Sequence, residues 1–278
     1  MSVSPAAPPA RTADRAQRDA LGASLYLEQV FGVLAAEVQK LYHDPFELLT
    51  RAVQPVIWLL LFGEAMARVR GLATPGMSYI DFISAGILTQ SVLFVAIFYG
   101  IAAIWERDLG ILHRYLVSPA PRSALVIGKA LSAGIRGLSQ AVVVYILAGL
   151  LDVAISLDPL HLVLMVLFIV TGAALFATFS LIVACLVKTR ERFMGIGQVV
   201  TMPLFFASNA IYPLTIMPAW LRAVARLNPL TYEVDAVRAL MLRGGASSFG
   251  IATDFAVLAA VFAVLVSIAA RLYGRMGS

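Results

Sequence analysis

The stretch IDFISAGILTQSVLFVAIFYGIAAIWERDLGILHRYLVSPAP, Ile80 to Pro121, decides the architecture. Twenty-four residues between Asp81 and Glu106 carry no charge. At a helical rise of about 1.5 Å per residue, that run is long enough for a hydrocarbon layer of about 30 Å. The chain then turns polar: Glu106, Arg107 and Asp108 open a segment punctuated by Gly110, Pro119 and Pro121. An uncharged run that ends in a charged, broken one marks a helix leaving a bilayer.

Outward from this stretch the pattern repeats. With 60% apolar and 13% charged residues in 278, and a mean hydropathy of +0.88, this is no ordinary soluble domain, where about 25% are charged. An all-α polytopic membrane protein is expected, with six spans at about 50–69, 80–105, 125–151, 160–187, 193–212 and 251–271. The first is short, sixteen residues between Arg51 and Arg68, and those arginines can snorkel to extend it. Within it Glu64 can pair with Arg68 at helical spacing. The third holds Lys129 and, deeper, Arg136; the fifth holds Pro203.

Before the spans, residues 1–22 are Ala-, Pro- and Arg-rich, lack the apolar centre of a signal peptide, and are expected to form a disordered cytoplasmic tail. In 23–44, Leu27, Val30, Phe31, Leu34, Val38 and Leu41 recur at helical spacing between polar residues. That predicts an amphipathic connecting helix in the membrane interface, or one packed on a soluble partner. Residues 45–278 form the transmembrane domain.

Charge asymmetry sets an expected orientation. With the N-terminus inside, the inner segments carry fourteen Lys and Arg, against Arg68 and Arg70 in the short outer loops. Both termini are then cytoplasmic. The net charge of +5 follows from those loops and does not require a nucleic-acid partner. Cys185 is the single cysteine, and His43, His113 and His161 are scattered, so no metal site is expected.

Enzymatic apparatus is hard to find. The nearest approach to a phosphate-binding loop is SALVIGKA (Ser123–Ala130), which lacks the earlier Gly and the following Ser/Thr. No catalytic residues are expected. A carrier driven by its own ion relay needs buried ionisable groups, and the interior candidates are Arg136 and, nearer an end, Glu64. The energy for any transport would come from a partner.

That gives Glu106–Pro121 its interest. Ile111, Leu112, Tyr115 and Leu116 lie on one face of a short helix that Pro119 and Pro121 stop before Arg122. The residues alone leave two readings: a helix that plugs into a groove on another protein, or a plain charged inner loop. A second motif, NPLTYEVDAVRALML (Asn228–Leu242), starts with a capping Asn228 and with Pro229 at the first helical position. Glu233, Asp235 and Arg238 follow within reach of one another and could pair. It is preceded by an amphipathic TIMPAWLRAVARLNPL, and two short outer helices, re-entrant or surface-lying, are expected before the last span.

Together ERDLGILHRYLVSPAPRSALVIGKAL and NPLTYEVDAVRALML resemble the permease subunits of ABC-2-type exporters, the family of the daunorubicin/doxorubicin-type and nodulation-factor exporter permeases. The resemblance spans about residues 25 to 272. The chain departs from it at Ile111 and His113, where many members have Thr and Glu. The resemblance implies a bacterial inner-membrane permease that moves a lipidic, glycan or hydrophobic drug-like substrate outward. It implies two copies of an ATP-binding-cassette ATPase subunit as partners, a second permease copy forming a homodimer, and surrounding membrane lipids. This chain would hold no cofactor; ATP and Mg would sit on the partner subunit. The coupling residues would be Glu106, Arg107, Asp108, Gly110, Leu112, Arg114, Tyr115 and Pro119, with Lys188–Arg192 a second inner contact. By the same analogy Phe94, Phe98, Tyr99, Arg136, Phe205, Phe206 and Asn209 would line the pathway, or else pack or face lipid. Asn228, Pro229, Tyr232, Glu233 and Arg238 would build the outer motif. The competing reading is an ATP-independent carrier or a membrane-embedded binding or assembly protein.

Overall fold

The computed structural model describes residues 28, 30–32, 35, 39, 45–67, 77–110, 122–187 and 189–273, without the side chains of 45–52, 64, 66, 67, 122 and 273. The described residues build eight α-helices from Pro45 onward. They are α1 (Pro45–Ala67), α2 (Tyr79–Asp108), α3 (Arg122–Leu150), α4 (Pro159–Leu186), α5 (Arg190–Phe206), α6 (Ala219–Leu227), α7 (Pro229–Met241) and α8 (Ile251–Tyr273). A single 3-10 turn covers Leu214–Ile216, and an isolated antiparallel bridge joins Ile155 to Leu242. The described residues of the expected connecting helix, 28, 30–32, 35 and 39, are helical; the rest of 23–44, the 1–22 tail and the Glu64–Arg68 pair lie outside the description.

Local chemistry sets the helix starts. Ser78 and Asp81 form a reciprocal capping box at α2. Asp158 accepts from Leu160 N–H ahead of Pro159 at α4, and Thr189 caps α5. α4 sits at the centre, packed against α2, α3, α7 and α8. Its run of small residues, Gly172, Ala173, Ala174 and Ala177, allows close approach. Where it crosses α2, Gly100 N–H donates to Ser180 Oγ at 3.0 Å, and Ser180 Oγ–H donates to Ile97 O. Outward, Val142, Ile146, Val163, Leu186 and Val264 are exposed, as a lipid-facing surface requires.

Among the described residues, four helices are long and apolar enough to cross a membrane: Tyr79–Asp108, Ser123–Leu150, Pro159–Leu186 and Ile251–Leu272. The expectation of six is therefore met by four on length and composition. α1 contributes a shorter apolar stretch, Val53–Gly63. The fifth run, expected to reach residue 212, stops at Phe206 and gives a helix of 17 residues. Two contacts close it: Ser208 Oγ–H folds back on Phe205 O, and Asn228 Nδ2–H, distant in sequence, takes the carbonyls of Leu204 (2.7 Å) and Ala207 (3.2 Å). Those bonds end the helix where the next segment clasps it. The short α6 and α7 stand before α8, as the outer motif suggested.

Candidate functional site

Three regions concentrate the polar chemistry: the C-terminal end of α2, a groove between α2 and α3, and the seat of α7.

At the C-terminal end of α2 the consecutive Glu106, Arg107 and Asp108 point to different partners. Glu106 turns inward, 5% exposed, and Lys129 of α3 reaches it at 2.5 Å. Arg107 donates to Val187 O at the end of α4 (3.2 Å) and pairs with Asp108 (3.2 Å). Asp108 also receives Arg190 from the first turn of α5 at 2.9 Å, and the Arg190 guanidinium lies 3.5 Å from the Trp105 ring centroid. Three charges in a row thus tie α2 to α3, α4 and α5. Gly110 follows with φ +71°, a left-handed turn open to glycine at little cost. Leu112, Arg114, Tyr115 and Pro119 lie outside the described residues.

The groove runs beside this end. One cavity, about 320 Å³, is lined by Phe98, Tyr99, Trp105 and Arg136. A second, about 230 Å³, is lined by Gln54, Ser91, Phe94 and Gln140; both share Val95 and Phe98. Arg136 lies 5.5 Å over the Tyr99 ring, and Tyr99 Oη is 2.8 Å from Ser132 Oγ. Phe94 and Phe98 stack with centroids 6.1 Å apart. Four of the seven pathway candidates therefore share one groove: Phe94, Phe98, Tyr99 and Arg136. The others lie elsewhere. Phe205 is buried edge-on against Trp58, Phe206 is exposed, and Asn209 belongs to the seat of α7.

That seat uses the second motif. Asn228 Oδ1 accepts from Leu230 N–H and caps α7, while its Nδ2 holds the end of α5. Pro229 occupies the first helical turn. Tyr232 Oη–H donates to Arg226 O at 2.7 Å, and its ring meets Phe249. Arg238, 7% exposed, donates to Phe82 O (3.2 Å) and Asn209 O (2.7 Å) and lies 3.8 Å from the Phe82 ring centroid. Asp235 accepts from Ser248 N–H (2.6 Å), Ser248 Oγ–H (3.0 Å) and Phe249 N–H (3.3 Å). The expected pairing of Glu233, Asp235 and Arg238 does not form. At 100° per residue the three side chains leave α7 toward different neighbours. Glu233 is completely buried, and neither carboxyl oxygen has a hydrogen-bond partner. Burial alone pushes its carboxyl well above the ordinary carboxylate range.

Sequence reading placed only Arg136 and Glu64 among interior ionisable groups. The structure leaves Arg136 half-buried, and among the described side chains, which do not include that of Glu64, it buries Glu106, Lys129, Glu233, Asp235, Arg238 and Asp254. Lys129 could have been found from its charge, since it lies just inside an apolar span whose neighbour ends in Glu106. Gln140, buried with both amide atoms unpartnered beside the groove, carried no such signal. Among the described residues no cluster of three or more His, Cys, Asp or Glu is arranged to hold a metal.

A helical bundle with four helices of spanning length and a partly polar groove between two of them is a multi-pass membrane protein. Residues 28–242 match the ABC-2 type transporter family model, and the chain belongs to that family. It is 29% identical to a protein named as the ycf38 transport permease of Cyanophora paradoxa, over 77% of this chain and 74% of that one. It is 26% identical to the daunorubicin resistance ABC transporter permease protein DrrB1 of Streptomyces coeruleorubidus, over 83% and 81%. Nodulation protein J of Rhizobium meliloti (strain 1021) is 26% identical, over 70% and 74%. The similarity makes this chain a transport permease.

Proposed function

We propose that this permease exports a lipidic, glycan or hydrophobic drug-like substrate, energised by a separate ATP-binding-cassette ATPase. The functional unit would contain two ATPase copies and a second permease copy in a bacterial inner membrane, with both termini cytoplasmic. ATP and Mg would be bound by the ATPase. Segment 106–121 is the coupling element in this reading, and the groove of Phe94, Phe98, Tyr99 and Arg136 contributes to the pathway.

One observation carries the reading. Just before 111–121, the end of α2 is linked to α3 through Glu106–Lys129, and to α5 through Asp108–Arg190. A displacement applied at 111–121 would be delivered to two neighbouring helices, one of which forms a wall of the groove. Arg107, held to Val187 O, extends the linkage to α4.

The test is co-purification of the tagged permease with the ATPase encoded beside it, followed by ATPase assays in nanodiscs. The complex is expected to assemble, and Arg107→Ala should lower substrate-stimulated hydrolysis without loss of membrane insertion. A permease that never retains an ATPase, or unaltered assembly and turnover in the variant, would remove the coupling role.

A further inference from the structure

We propose that Glu233 is a proton-binding site that holds α7 against α4 while protonated and loosens that seat when it ionises. Nothing in the export reading requires such a site, and the inference goes beyond it.

The geometry begins with Gly172, midway along α4. A Cβ placed there would lie 2.1 Å from the Glu233 carboxyl carbon and 2.2 and 2.3 Å from its oxygens. Glu233 is thus pressed against bare helix backbone in a space that only glycine leaves open. Its exposure is 0%, and neither oxygen is hydrogen-bonded. Two residues earlier the Thr231 hydroxyl is likewise buried without a partner. An ionised carboxylate buried from water needs several donors, and neither Glu233 oxygen receives a hydrogen bond.

The surrounding charged groups are engaged elsewhere. On α7 itself, Arg238 is committed to two backbone carbonyls and Asp235 to the 247–249 turn. On α8, Asp254 is 2.8 Å from Ser247 Oγ, which is also 2.9 Å from Asp235. On α2, Asp81 accepts from Ala154 N–H. At the start of α4, Asp158 caps the helix and His161 meets Ser156. On α6, Arg222 donates to the carbonyls of Leu214, Thr215 and Met217, and Arg226 gives its carbonyl to Tyr232. Burial is the cause that raises the Glu233 pKa.

The sign follows from linkage. The seated form keeps a proton that the loosened, hydrated form gives up once pH exceeds the ordinary carboxylate range. Seating is therefore complete at low pH and weakens by about tenfold in equilibrium constant per pH unit, until Glu233 ionises in place. A proton drawn from one side of the membrane would thereby bias whether α7 is seated.

The full-length permease in nanodiscs, with Cys185→Ala and Thr231→Cys, tests this through labelling by a charged methanethiosulfonate. The rate at each pH is divided by that of the same chain carrying Glu233→Gln, which cancels the ionisation of the thiol. The ratio should rise at least about fivefold from about pH 6 to about pH 9. A flat ratio overturns the proposal. Glu233→Met, neutral and of similar length, replaces the Gln reference if that variant does not fold. Gly172→Ala should raise labelling at about pH 6 by a similar factor, and Glu233→Ala in the same chain should bring it back down. Labelling that stays high in the double variant also overturns it. No ATPase or nucleotide is present, so this result is independent of the export test.

Discussion

At its C-terminal end α2 meets charge with charge: Glu106 is buried against Lys129, and Asp108 holds Arg190 at the surface. At its N-terminal end it meets charge with neutral groups. There Arg238 is received by the carbonyls of Phe82 and Asn209, Asp235 is satisfied by serines and backbone N–H groups, and Glu233 has no partner at all. The two solutions differ in how loss spreads. Removing one member of the buried ion pair takes the countercharge from a charge held in low dielectric. Removing one member of the α7 seat leaves a carbonyl or amide unsatisfied, a smaller cost shared among several elements.

The largest expected effect tests the ion pair. Lys129→Ala should destabilise the fold by about 3–5 kcal/mol, because buried Glu106 loses the cation of its 2.5 Å ion pair, whereas Glu106→Leu with Lys129→Met should recover most of it. Thermal unfolding of the detergent-purified chain reads both, and an equal loss in the double variant would show that charge is not what matters at this end. A middle-sized effect tests the clasp: Asn228→Ala should cost about 0.5–2 kcal/mol, since the cap of α7 goes together with the bonds to Leu204 and Ala207. If Asn228→Asp, which keeps the cap and loses the Nδ2 donors, matched wild type, the clasp on α5 would be idle. The smallest effect is expected at Asp108→Asn. This surface pair should leave thermal unfolding unchanged. The same variant in the permease–ATPase complex should lower hydrolysis if 111–121 couples.

Much of the local structure was readable beforehand. Ser78–Asp81, Asp158–Pro159 and Asn228–Pro229 are start signals written in adjacent residues, and each caps the expected helix. The run between Asp81 and Glu106 is apolar enough that only a spanning helix satisfies its backbone. The end of α5 was less legible, because Asn228, which closes it, lies more than twenty positions on. The pathway candidates divided for the same reason. Phe94 and Phe98 are four residues apart on one helix face and stayed together, whereas Phe205 and Asn209 went with Trp58 and Asp235.

By itself, the sequence determined that this chain is helical, membrane-embedded and a member of the ABC-2 type transporter family, because hydropathy, capping and motifs are properties of neighbouring residues. Tertiary structure alone decided which charges are paired. Whether Glu106 meets Lys129, Arg238 meets two carbonyls or Glu233 lies against the bare backbone of Gly172 depends on which helix faces arrive together. In a low-dielectric interior that arrangement sets the cost of each charge, and so which residues stay fixed and which can take up a proton.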